Sequence, residues 1–246
     1  MNNNQTVERL KQMRLGAMAS LHYQHIKDNR IENVTADEYP ALLTDHQWED
    51  RLNKKIERLI KQAGFREQAG IADVEYNQQR NLDKNMFTRL ATLDFIKRKE
   101  NIIITGASGT GKSYLAQALG YQACLMEYKV LYANTAKLIG RLKLSKIDGT
   151  YLKELSKPIK TDILILDDFG LHAFDNQAGE ILLDIIDERH NQASTILSSQ
   201  IPVSAWYDLI GEQTIADAVL DRIVNSSHRI ILKGESLRKG KISTTK

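Results

Sequence analysis

The stretch Gly106-Ala107-Ser108-Gly109-Thr110-Gly111-Lys112-Ser113 fits the pattern G-x-x-x-x-G-K-[ST]. A chain carrying that pattern between a strand and a helix has few folds open to it. Residues 101–105, Asn-Ile-Ile-Ile-Thr, read as a buried strand leading in, and residues 114–124, rich in Ala, Leu and Gln, as a helix leading out. The three glycines let the backbone curl so that its N–H groups point inward at phosphate oxygens. The helix N-terminus adds its positive dipole end at the same place. Lys112 can reach β- and γ-phosphates, and Ser113 can ligate Mg²⁺. The candidate nucleotide-binding residues are therefore Gly106, Ala107, Ser108, Gly109, Thr110, Gly111, Lys112, Ser113 and Tyr114, with ATP and Mg²⁺ as ligands. The alternative is a Gly-rich turn that happens to carry Lys-Ser; the flanking strand and helix argue against it.

The 246 residues allow one large domain, or one of about 150 residues with a smaller piece beside it. The net charge of +3 permits an acidic partner without requiring one. A single cysteine, Cys124, excludes a disulfide framework within the chain and suits a reducing compartment. The first residues are polar and lack an apolar signal core, and no stretch approaches the ~20 apolar residues that span a bilayer. The expectation is a cytoplasmic protein with no membrane role.

Residues 6–30 read as one helix, with Val7, Leu10, Met18 and Leu21 at three- to four-residue spacing. Thr35 with Glu38 three places on resembles a helix start. A second long helix is expected over 45–68, with Trp48, Leu52, Ile56, Leu59 and Ile60 on one face and a wide charged face opposite. Another helix is expected near 84–97. Strands are expected at 101–105, 129–133, 162–167, 194–199 and 229–232, separated mostly by helices. That alternation predicts a parallel, helix-covered sheet with ligands at the carboxyl ends of its strands. The expected division is a helical domain over 1–70 and an α/β domain over 71–246.

Ile163-Leu164-Ile165-Leu166 suits a central strand buried on both faces, and it ends in Asp167-Asp168. If that strand neighbours the first, the carboxylates reach the phosphates: Asp167 for Mg²⁺, Asp168 as the base for the attacking water. An Asp-Asp pair there can also simply cap a following helix. Residues 195–200 read as a strand with a polar end. Gln200 either positions the water or belongs to a turn before Pro202. Arg222 either stabilises charge on a transferring phosphoryl group or makes a surface salt bridge.

These features, in this order, resemble the AAA+ ATPases. Within them the chain is similar to the IstB-like transposition helpers, relatives of the DnaC-type helicase loaders. The segments 10–18, 93–96, Ser199-Gln200-Ile201-Pro202 with Trp206, Leu220-Asp221-Arg222 and Gly234-Glu235-Ser236-Leu237-Arg238 carry the resemblance. It implies an AAA+ P-loop NTPase with a parallel five-stranded sheet, a small α-helical N-terminal domain and a short or absent C-terminal lid. Gln200 lies where relatives usually carry a sensor Asn, Arg222 matches the arginine that acts in trans on a neighbour's ATP, and Arg238 lies near a second sensor. The catalytic set is thus Lys112, Asp168, Gln200 and Arg222, with Ser113 and Asp167 on the metal. Relatives commonly have Asp-Glu where this chain has Asp167-Asp168; the shorter Asp168 implies slower hydrolysis.

The resemblance also implies assembly as a ring or spiral on duplex DNA and recruitment or stimulation of a cognate transposase, with the N-terminal helices engaging partners. The first alternative is a replicative helicase loader of the DnaC type. The second is a nucleotide-dependent DNA-binding module that hydrolyses little. Lys137, Arg141, Lys143, Lys146, Lys153, Lys157 and Lys160 are opposed only by Asp148 and Glu154 in the same segment. They form either a DNA-lining surface, with Lys143, Lys146 and Lys153 as candidate contacts, or a solvated basic face. The tail with Arg238, Lys239, Lys241 and Lys246 is a second basic candidate.

Overall fold

A computed structural model describes residues 3–28, 34–76 and 80–237. The chain divides into two compact units, Met1–Arg58 and Leu59–Lys246. The division falls earlier than the boundary expected after residue 70, and burial is the reason. Leu59, Ala63 and Ala69 are at most 6% exposed and join the same hydrophobic cluster as the central strands.

The first unit holds α1 (Asn3–Gln12), α2 (Gly16–Lys27) and most of α3 (Glu38–Ala63). The single helix expected over 6–30 is broken at Arg14, which takes a left-handed φ of 60°. The start of α2 has no local side-chain cap. Instead Gln47 of α3 accepts from the Ala17 and Met18 N–H groups at 3.1 and 3.3 Å. α3 begins at Glu38 rather than near residue 45, because Thr35 and Glu38 close a reciprocal capping box. Trp48, expected on its buried face, is 70% exposed.

The second unit begins with the last turn of α3. Gly64, at φ 72°, ends that helix, and Phe65 and Ile71 pack on the core. Then follow α4 (Lys84–Ala91), α5 (Asp94–Lys97), β1 (Asn101–Gly106), α6 (Lys112–Leu125), β2 (Val130–Asn134), α7 (Thr135–Ile147), α8 (Tyr151–Ile159) and β3 (Ile163–Asp167). After these come α9 (Asn176–Arg189), β4 (Ser194–Ser199), α10 (Trp206–Ile210), α11 (Gln213–Val224) and β5 (Ser227–Leu232). The five strands pair in parallel in the order β2-β3-β4-β1-β5. Alternate residues feed the two faces. Ile102, Ile104, Ile163 and Ile165 pack against α6, while Ile103, Leu164 and Leu166 lie among the residues of α7, α9 and α11. β3 is buried throughout, as its aliphatic run requires.

Arg189 at the end of α9 is 2% exposed and structural. Its guanidinium donates to the carbonyls of Pro158, Thr161 and Ser194, pinning the turn before β3 to β4. Burial lowers its pKa to about 10. Cys124 lies inside the α6 core, and burial pushes its thiol up to about 12. Among the described residues, no helix is long and apolar enough to cross a membrane.

Candidate nucleotide site

The phosphate loop leaves the carboxyl end of β1 and opens α6. Gly109 and Gly111 hold φ values of 81° and 87°, which a side chain would strain. A Cβ on Gly109 would meet Ser236, and one on Gly111 would meet the Arg80 guanidinium. Gly111 stands at the N-cap of the 14-residue α6 and makes no side-chain cap, so the helix turns its positive end toward the loop. Lys112 is 6% exposed, and its ammonium donates to the Ala107 carbonyl at 2.8 Å, within the loop it would serve. Thr110, fully buried, braces the loop through a 2.9 Å bond to the same carbonyl. Tyr114 is half-buried and reaches the Gly70 carbonyl at 3.5 Å.

β3 does not neighbour β1; β4 lies between them. The Asp pair still meets the loop, because Ser113 Oγ donates to Asp167 Oδ1 at 2.8 Å. Asp167 has no exposed surface. Ser198 of β4 donates to its Oδ1, and the Tyr132 phenol of β2 donates to its Oδ2. Burial first, then the bond to Asp167, pushes the Tyr132 pKa well above the usual phenol range, so Tyr132 remains a donor. Thr135 Oγ1 adds a 2.8 Å bond to the Asp167 carbonyl. A serine oxygen and a carboxylate 2.8 Å apart are the hard oxygen ligands that Mg²⁺ takes. The residues therefore fit the metal.

Asp168 leaves the strand in a left-handed turn, φ 55°, with its side chain 26% exposed. Its Oδ2 accepts from Asn134 Nδ2 at 2.9 Å, while Asn134 Oδ1 caps α7 through the Lys137 N–H. The strained turn is anchored by the next residue. Phe169 is fully buried, its ring 4.5 Å from that of Trp206 and 5.4 Å from that of Phe174. Trp206, singled out in the sequence, thus backs the carboxylate turn, and its indole N–H is spent on the Ile201 carbonyl at 3.0 Å. A cavity of about 170 Å³ opens beside Asp168, lined by Thr135, Gly140, Lys143, Leu171 and Phe174 among others.

Two further segments, one around Arg80 and one over 233–237, close on the loop. Arg80, 5% exposed, donates through Nε to the Thr110 carbonyl at 3.1 Å and through Nη1 to the Glu75 carbonyl at 2.7 Å. Its own carbonyl accepts from the Lys233 N–H, and the Leu237 N–H donates to the Gly109 carbonyl at 3.0 Å. Arg66 Nη1 lies 3.8 Å from Asp167 and 3.9 Å from Asp168. Arg238, Lys239, Lys241 and Lys246 lie outside the described residues.

Other expected residues stand apart. Gln200 is half-buried, and its side chain makes no hydrogen bond among the described residues; Ser198 is the β4 side chain on Asp167. Arg222 sits at the amino end of β1, where its carbonyl accepts from Asn101 Nδ2 at 3.3 Å. A strand of six residues spans about 17 Å, farther than an arginine side chain reaches, so Arg222 is kept from its own phosphate loop. Its Nε donates to Asp187 at 2.8 Å. Of the lysines, Lys143 is bound to both oxygens of Asp175 at 2.6 Å, and Lys146 lies 3.7 Å from Glu180 and 4.9 Å from the Tyr151 ring. Lys153 is exposed on α8, as are the apolar side chains of Leu144 and Ile147 at the end of α7 and Leu152 at the start of α8.

Sequence reasoning missed Ser198, Tyr132, Asn134, Arg66 and Arg80. Asn134 alone carried a local signal, an Asn at a strand end followed by a helix.

The family described as IstB-like ATP binding protein matches residues 8–245. A Sinorhizobium fredii protein named as the insertion sequence ATP-binding protein y4pL is 40% identical over 234 residues, covering 95% of this chain and 96% of its own length. The crystal structure of the DnaC helicase loader shares the fold at 20% identity, with a TM-score of 0.54 over 66% of this chain and 95% of that one. AMPPCP-bound DnaA from Aquifex aeolicus does so at 17% identity, with a TM-score of 0.59 over 73% of this chain and 54% of that one. Phosphate loop, carboxylate-tipped β3 and five-stranded parallel sheet agree with these likenesses, and the chain belongs to the IstB-like ATP-binding family, an ATPase with the AAA+ fold.

Proposed function

We propose that this ATPase binds ATP with Mg²⁺, assembles as a ring or spiral on duplex DNA, and there recruits or stimulates the transposase of its insertion sequence. One observation carries the reading: the phosphate loop and carboxylates lie at one end of the sheet, while Arg222 lies at the other, its guanidinium held by Asp187 and the Ala218 carbonyl. A site so divided is completed by a second copy stacked head to tail. The insertion-sequence name of the 40% identical relative supports the transposition role. The likeness to DnaC supports the fold alone.

In this reading Lys112 exchanges the Ala107 carbonyl for β- and γ-phosphate oxygens. Ser113 and Asp167 hold Mg²⁺, which when bound neutralises phosphate charge. Asp168, oriented by Asn134, takes the proton of the attacking water. The new bond joins that water's oxygen to the γ-phosphorus, the bond to the β-bridging oxygen breaks, and ADP and phosphate result. Arg222 of one copy stabilises the charge on the γ-phosphoryl group held by the next. Ser198 steadies Asp167 from β4, and Gln200 is left to contact the γ-phosphate or its water.

Lys153 is the best placed of the candidate DNA contacts, since Lys143 and Lys146 already face carboxylates. An electrophoretic titration of Lys153→Ala with ATP over a salt series tests this. Weaker binding, with the log–log salt slope reduced by about one, supports it. Undiminished affinity with an unchanged slope removes this segment from the DNA surface. Co-purification with the transposase, against a replicative helicase, separates the transposition role from loading.

A further inference from the structure

The segment after α3 carries a cation to the carboxylate pair, and α6 holds it there. Gln117, 1% exposed on α6, accepts from the backbone N–H groups of Arg66 and Glu67 at 2.7 and 3.3 Å. The amide of the same side chain donates to the Ser113 carbonyl at 3.1 Å. The backbone of Arg66 is thus fixed to the helical turn that bears Ser113. The side chain, about half exposed, passes over the Tyr132 ring at 5.9 Å and ends with Nη1 3.8 Å from Asp167 Oδ2 and 3.9 Å from Asp168 Oδ2.

These separations exceed the 2.7–2.9 Å of a charge-assisted hydrogen bond. The guanidinium therefore acts by charge and remains free to leave. Asp167 Oδ1 already accepts from Ser113 and Ser198, and its Oδ2 from Tyr132. A buried carboxylate next to a second carboxylate needs positive charge nearby, and Arg66 bridges both.

We propose that Arg66 is a built-in counter-cation for the Asp167–Asp168 pair, a positioning residue that the divalent metal must displace to occupy the site. It lowers the affinity of the nucleotide-free pair for free divalent ions, so that the metal enters with ATP rather than alone. The inference rests on the assignment of Asp167 and Asp168 to the metal and water.

The test is electron paramagnetic resonance titration of the full chain with Mn²⁺ alone, without nucleotide. Arg66→Ala is expected to bind Mn²⁺ about tenfold tighter than the parent, because a like charge about 4 Å from the metal ligands has been removed. Arg66→Lys is expected to stay near the parent. A merely structural role would lower affinity, the opposite sign. Equal affinities for parent and Arg66→Ala, including no measurable binding by either, overturn the proposal. A tightening that survives the added Asp167→Asn substitution overturns the assignment of the carboxylate pair as well, which separates the two failures.

Discussion

At the carboxyl end of β1 Asp167 is fully buried and both carboxylates are bonded to neighbouring side chains, while at its amino end Arg222 is held by Asp187, itself 57% exposed, and by the Ala218 carbonyl. The first arrangement is pre-organised. Ser113, Ser198, Tyr132 and Asn134 fix both carboxylates before any ligand arrives. The second is cheap to rearrange, since an exposed ion pair contributes about 0–1 kcal/mol. In the proposed reading, the contrast is between an end of the sheet that receives ATP and an end that is delivered to a neighbour's ATP.

Substitutions at the two ends should differ accordingly. At the rigid end, Asp168→Asn keeps the contact with Asn134 but removes the proposed proton acceptor. Turnover is expected to fall about 100-fold, with ATP affinity within about twofold of the parent, as steady-state kinetics and equilibrium nucleotide binding will show. Near-parental turnover would move the base to another residue and remove the functional meaning of the strained turn. At the loose end, Asp187→Asn should change turnover by no more than about threefold, since it removes one partly exposed ion pair and leaves the Arg222 bond to the Ala218 carbonyl. A tenfold change would mean that Asp187 orients the arginine and that this end is pre-organised too.

The sequence made the rigid end legible in part. The glycine loop, its flanking strand and helix, and the aliphatic run ending in Asp167-Asp168 are local patterns, and their strands fell within two residues of expectation. What surrounds them was not legible. Arg66 meets Asp167 across a hundred residues of chain, and Tyr132 and Ser198 meet it from two different strands. Such contacts leave no periodicity in sequence. The insertion of β4 between β1 and β3 was hidden for the same reason, since strand order is set by crossovers rather than by any one strand. Gln200 drew attention as the amide at the strand end, yet β4 stops at Ser199, and the β4 side chain that reaches the carboxylate is Ser198. In the first unit, the periodicity of 6–30 ran past the left-handed Arg14, whose φ no residue type announced. Trp48 fitted a helical stripe that the structure leaves bare.

The central claim is that the ATP site is shared between copies, and mixing two inactive variants tests it most directly. Lys112→Ala lacks the phosphate-binding half, and Arg222→Ala lacks the half given to the neighbour. Mixed in equal amounts on DNA, they pair at random, and about a quarter of the sites regain both halves. The account predicts ATP turnover near a quarter of the parental rate from two proteins that are each inactive alone. A mixture as inactive as its components, or an Arg222→Ala protein that is fully active by itself, would contradict it.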